Sequence, residues 1–219
     1  MRWDEVMSLV KKDLRLEFRQ RWALNGILLY VFSTVFVTYL AFSGKMDTGP
    51  WNALFWIIML FASVNAATKS FVQESNARQL FYYFLVSPQA VILAKIIYNL
   101  MLMLVIALLC YGVFVLFMGS WVVNHSLFIA ALLLGSSGFA GILTMVAAIA
   151  GRSGNNFALM AVLSFPLVLP LLLTLIKVSA ASLAPTPFSD HIGNLLVLLL
   201  LNLLVVILGW ILFPYLWRD

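Results

Sequence analysis

Six stretches of the chain, residues 23–42, 51–67, 96–118, 127–150, 157–176 and 195–216, contain no Asp, Glu, Lys, Arg or His. Each is near the roughly 20 apolar residues that a helix needs to cross about 30 Å of hydrocarbon, where no water satisfies a free backbone. Runs of this kind dictate an all-α integral membrane protein with six transmembrane helices. A β-barrel is excluded, because its strands cross in about ten residues and alternate polar with apolar side chains. A soluble domain is excluded by composition. Of 219 residues, 64% are hydrophobic and 10% charged, against about 25% charged in soluble proteins. So few charges cannot cover a water-soluble chain of this size, whereas lipid covers apolar surface without cost. The first run is not a cleavable signal, since a charged segment of 22 residues precedes a span of full membrane length.

Lys and Arg collect on the cytoplasmic side of short loops, so counting them gives an orientation. With six spans and both termini cytoplasmic, the inner face holds Arg2, Lys11, Lys12, Arg15, Arg19, Arg21, Lys69, Arg78, Lys95, Arg152 and Arg218. The outer face holds only Lys45 and Lys177. Removing any one span scrambles this agreement. The net charge of +5 is therefore a membrane signal and not one for nucleic acid, because six of the thirteen basic residues precede residue 22. The single cysteine, Cys110, lies inside an apolar run, which excludes a disulfide framework and reads as a packing residue.

The fourth run carries Gly135, Ser136, Ser137, Gly138 and Gly141, small residues that let helix backbones approach, and reads as a contact face. The fifth carries Pro166 and Pro170, each removing a backbone donor, and is expected to be kinked or broken there and to hinge. No 20–50-residue repeat or symmetry between halves supports an inverted-repeat transporter.

Two segments outside the runs have pattern. Before the first span, Trp3, Met7, Val10, Leu14, Phe18 and Trp22 recur every three or four residues with basic residues between them. This predicts an amphipathic helix over 1–22 lying in the cytoplasmic headgroup plane, with membrane lipid as its partner. Between the second and third spans, residues 68–90 are polar at first and then run through Leu80, Phe81, Tyr82, Tyr83, Phe84 and Leu85. That stretch is too short to span and marks an interface or a partner. Ser87 is expected to cap the following helix, with Pro88 at its first position.

Chemistry is missing from the spans. Their polar groups are Asn25, Asn52, Asn65, Asn99, Asn202 and scattered Ser and Thr, which read as interhelical hydrogen-bond partners. Ion-coupled carriers and intramembrane enzymes place ionisable groups inside the bilayer. His125 and His191 sit apart in outer loops without a second donor at metal-ligand spacing. No Gly-x-x-x-x-Gly-Lys-Ser/Thr loop exists, so the chain does not hydrolyse ATP by itself. Catalytic, cofactor-binding and metal sites are accordingly expected to be none.

The six spans, the amphipathic N-terminal segment and the order Phe71, Glu74, Leu80, Ser87-Pro88, Lys95 resemble the haem exporter protein B (CcmB) family, the membrane subunit of the cytochrome c maturation ABC transporter. The stretches QLFYYFLVSPQAVILAKIIYN, GRSGNNFALM and SFPLVLPLLL carry the resemblance, which covers nearly the whole chain. It implies a non-catalytic ABC permease domain over 1–219, in which the spans read from the apolar runs lie at about 23–42, 51–67, 91–118, 127–150, 157–176 and 195–216. It also implies a bacterial inner-membrane location. The implied partners are a cytoplasmic ATP-binding subunit, a haem-handling membrane subunit, a small single-span subunit and a periplasmic haem chaperone. No cofactor is bound directly: ATP acts through the partner, and haem is handled by the complex. ATPase contact is expected in the cytoplasmic segment between spans 2 and 3, at Phe71, Glu74, Arg78, Leu80, Phe81, Ser87 and Pro88. An ATP-independent channel or carrier, or a structural assembly subunit, remains the alternative.

Overall fold

The computed structural model describes residues 3–19, 21–72, 87–152 and 157–218. Among these the elements are α1 (Trp3–Arg19), α2 (Arg21–Ala41), α3 (Thr48–Val72), α4 (Pro88–Met118), α5 (His125–Arg152), α6 (Phe157–Ser182), a short 3-10 turn (Phe188–His191) and α7 (Ile192–Arg218). Five helices are long and apolar enough to cross a membrane, with candidate spans of 21 to 31 residues. In the sixth, α2, the apolar stretch Asn25–Ala41 is shorter.

α5 is the hub. It packs against α3, α4, α6 and α7, and its small residues make this possible. A Cβ on Gly135 would lie 2.8 Å from the Trp56 ring, one on Gly138 2.6 Å from Leu171, and one on Gly141 3.1 Å from Val205. The contact face expected in the fourth span is thus a face toward three different helices. α7 is the outermost, with its leucines exposed, as a lipid-facing helix requires.

Polar side chains tie the helices together where lipid gives no hydrophobic drive between them. Asn52 donates to the Ile176 carbonyl at 2.8 Å, while the Ser179 hydroxyl stands 2.7 Å from both the Asn52 Oδ1 and the Trp56 Nε1–H. Asn99 donates to Thr144 Oγ1 at 2.7 Å, and Asn202 Oδ1 accepts from Ser137 at 2.7 Å. Asn52, Asn99 and Asn202 are therefore interhelical partners, whereas Asn25 and Asn65 are exposed. Trp51, Phe55, Tyr111, Phe114 and Phe128 form a ring cluster with centroids 5.0 to 6.3 Å apart, joining α3, α4 and α5. Cys110 is buried within the same core.

The loops at the end of the bundle away from α1 are held to one another. The backbone N–H groups of Val123 and Asn124 donate to the Ser182 carbonyl, and Asn124 donates to that of Thr186. Asn124 Oδ1 also accepts the Leu127 N–H at 3.2 Å, capping α5.

Several expectations are corrected. α4 is one helix of 31 residues, about 46 Å long at 1.5 Å per residue, and so exceeds the hydrocarbon thickness by some 16 Å. It begins before the charge-free run, three residues ahead of the expected span at 91–118, and carries Lys95 within it. Pro88 does occupy its first turn, but Ser87 makes no side-chain cap: its Oγ is buried without a hydrogen-bond partner, and only its carbonyl receives the N–H groups of Ala90 and Val91. Of the kink or break expected in the fifth span, a break is excluded, since α6 runs continuously through Pro166 and Pro170.

Candidate coupling site at the N-terminal helix

α1 docks on the first turns of α4. The docking face is Val6, Val10, Asp13 and Glu17, all buried, at intervals of four, three and four, which is one side of a helix. Opposite stand Ala90 and Ala94, also buried, whose small side chains let the two helices approach. The set expected to face lipid meets this docking face at Val10. Of its other members, Trp3 and Met7 are exposed, Leu14 lies at the edge of the docking face, and the side chains of Phe18 and Trp22 lie outside the described residues.

The face carries charge. Lys95 Nζ lies 3.1 Å from Asp13 Oδ2, with both side chains only 6% exposed. Lys12 reaches the other oxygen of Asp13 at 3.0 Å from a partly exposed position. One turn further, the Tyr98 hydroxyl donates to Glu17 Oε2 at 2.8 Å, and the Lys95 ammonium stands 6.0 Å from the Tyr98 ring centroid. Removing one partner of a buried pair costs about 3–5 kcal/mol where the other charge is left uncompensated, a cost that Lys12 lowers for Asp13. The pair therefore works chiefly by rejecting other placements of α1. With Asp13 and Glu17 turned inward, Lys11, Arg15 and Arg19 are left exposed along the outer side.

Asn99, one turn beyond Lys95, continues the line through its bond to Thr144 on α5, and its Oδ1 is buried without a partner. A run of polar contacts thus leads from α1 through α4 to the central helix.

Of the expected ATPase contacts, Glu74, Arg78, Leu80 and Phe81 lie outside the described residues, as does the Phe71 side chain at the end of α3. Ser87 and Pro88 stand at the start of α4, two residues before Ala90 and the α1 contact. Sequence reasoning missed Asp13, Glu17, Lys95 and Tyr98. The available signal was the alignment of two acids, among the basic residues of the helix's second half, with two valines on one side.

The opposite end holds an open cavity of about 580 Å³ lined by Phe42, Gly44, Lys45, Met46, Asp47, Pro50, Met118 and Trp121. Gly44 and Ser43, at φ 72° and 50°, make the turn that shapes it. His125 is exposed, and His191 Nε2 lies 3.1 Å from Thr186 Oγ1. Among the described residues no three His, Cys, Asp or Glu side chains cluster as metal ligands.

These features define a multi-pass helical membrane protein whose polar contacts fasten helices to one another. A family model described as CcmB protein matches residues 4–214, and the chain belongs to that family. Membership implies a membrane subunit of the cytochrome c maturation haem exporter, with haem handled by the complex. No curated protein and no solved structure matches the chain.

Proposed function

We propose that the chain is the permease subunit of an ABC transporter complex for c-type cytochrome biogenesis. It couples ATP hydrolysis by a separate cytoplasmic subunit to haem delivery or to release of the haem-loaded periplasmic chaperone. The observation that carries this reading is the family match over residues 4–214, which reaches every described helix. The chain is a single permease domain with six spans and both termini in the cytoplasm of a bacterial inner membrane. Its partners are the ATP-binding subunit, a haem-handling membrane subunit, a small single-span subunit, the chaperone and membrane lipid.

A permease without a phosphate-binding loop is driven through contacts with a separate ATPase. The segment from Phe71 through Glu74, Arg78, Leu80 and Phe81 to Ser87 and Pro88 is the surface available for them. The inner connection between α5 and α6 offers few residues, and α1 is committed to α4. Glu74 and Arg78 pairing only with each other would contribute just 0.3–0.5 kcal/mol or so, and aromatic anchors at interfaces cost about 2 kcal/mol or more when truncated.

The test is copurification of the ATP-binding subunit with Phe81→Asp, and separately with Glu74→Arg plus Arg78→Glu. Both should reduce association and cytochrome maturation at normal membrane abundance, Phe81→Asp the more severely. Undiminished copurification in both variants would refute this surface. Flux without an ATPase would favour a carrier, and association indifferent to ATP a structural subunit.

A further inference from the structure

We propose that Asp13 and Lys95, together with Glu17 and Tyr98, are positioning residues that fasten α1 to the first turns of α4, so that the two helices move as one lever.

The argument begins with the length of α4. Its 31 residues exceed what the bilayer needs, and the first turns are where α1 grips it. The grip has an apolar half, Val6 and Val10 against Ala90 and Ala94, and a polar half, Asp13 to Lys95 and Glu17 to Tyr98. An amphipathic helix that only rested on lipid would keep its acids in water. Here two acids of α1 point into the protein, where burial is costly unless each finds a partner, and each does. The arrangement specifies one register of α1 on α4, because sliding by one residue would pull both acids off their partners.

Position supplies the role. Pro88 opens α4 immediately after the segment proposed to meet the ATPase, and Ala90, Ala94, Lys95 and Tyr98 follow within ten residues. A displacement delivered at Pro88 enters α4 where α1 holds it and passes on through Asn99 to Thr144 of the central helix. Without the grip, the projecting turns of α4 would bend locally and the push would be lost before reaching the bundle. This inference rests on the coupling reading above.

The test uses the whole complex with its ATP-binding subunit. It compares Asp13→Asn, Lys95→Met, and the exchange of Asp13→Lys with Lys95→Asp, for membrane abundance, ATPase copurification and cytochrome matured per ATP hydrolysed. Each single change should keep the ATPase bound but lower maturation per ATP at least fivefold, and the exchange should recover it to within twofold. Full yield in the single variants would overturn the proposal. So would loss of ATPase copurification, which would make the pair a docking surface. Copurification of the Phe81 and Glu74 variants reports separately on the coupling segment.

If the single variants do not accumulate, an oxidised Val10→Cys and Ala94→Cys pair in a Cys110→Ala background decides. A lever predicts that the disulfide forms and maturation stays within twofold of the reduced protein. Failure to cross-link, or inhibition that reductant reverses, would show that α1 is not held to α4 through the cycle.

Discussion

Gly135 and Gly138 face neighbours of different stiffness, and the difference is measurable. A methyl at Gly135 would meet the Trp56 ring at 2.8 Å, and Leu175 3.1 Å away closes the other side. Trp56 is buried and held by its bond to Ser179, so the ring cannot turn aside. A methyl at Gly138 would meet the two methyls of Leu171 at 2.6 and 2.7 Å and its Cγ at 3.2 Å, a buried side chain that has more rotamers than a ring. Overpacking a close-packed core costs about 1–3 kcal/mol. Gly135→Ala should fall near the top of that range and Gly138→Ala near the bottom, as read by thermal stability in detergent. Equal losses would contradict the contact assignment. The histidines give a prediction of the opposite kind. His125 is exposed, and His191 is engaged with Thr186, so replacing both by alanine should leave cytochrome maturation within about twofold of the parent at matched protein level. Loss of maturation would assign haem ligation to one of them.

At the scale of the helix, α6 carries the plainest functional expectation. Pro166 and Pro170 are both exposed, so neither fills a gap in the core, and each removes a donor from the backbone ladder. The carbonyls of Val162 and Pro166 lose their ordinary partners, while Thr174 donates to that of Pro170 at 2.8 Å. If the prolines supply a hinge, Pro166→Leu with Pro170→Leu should keep or raise membrane abundance and reduce maturation several-fold. Unchanged maturation would leave them without a role in motion. The helices themselves were legible in the sequence because a charge-free run of membrane length has few other solutions. The small residues of α5 were legible for a similar reason, being useful only where another helix comes close. The grip of α1 on α4 was not legible. Asp13 and Lys95 are distant in sequence, and each has a local explanation, as a charge on an amphipathic helix and as a basic residue at a cytoplasmic boundary. The aromatic period from Trp3 marks a set suited to lipid, and treating every acid as solvent-facing hides the docking face beside it, which contains two. Ser87 failed as a cap because its hydroxyl does not turn toward the N–H groups of its helix.

The whole molecule is a bundle in which a central helix, α5, meets four others, and in which α1 and the opposite loops are tied to the helices rather than left free. The orientation proposed above rests on the eleven-to-two division of basic residues. Reporter fusions after Lys45, His125 and Asp190 should report the outer side, and those after Arg78, Arg152 and Arg218 the inner side. A cytoplasmic signal after His125 would remove one span from the count and reverse every later helix. Central to the account is that this chain contributes motion and no hydrolysis. The most direct measurement is therefore release of the haem-loaded chaperone from the assembled complex, with an ATP-binding subunit that binds ATP but cannot hydrolyse it. The account predicts that this chain still copurifies with that subunit while release falls to the level seen without ATP. Release at the normal rate would contradict it.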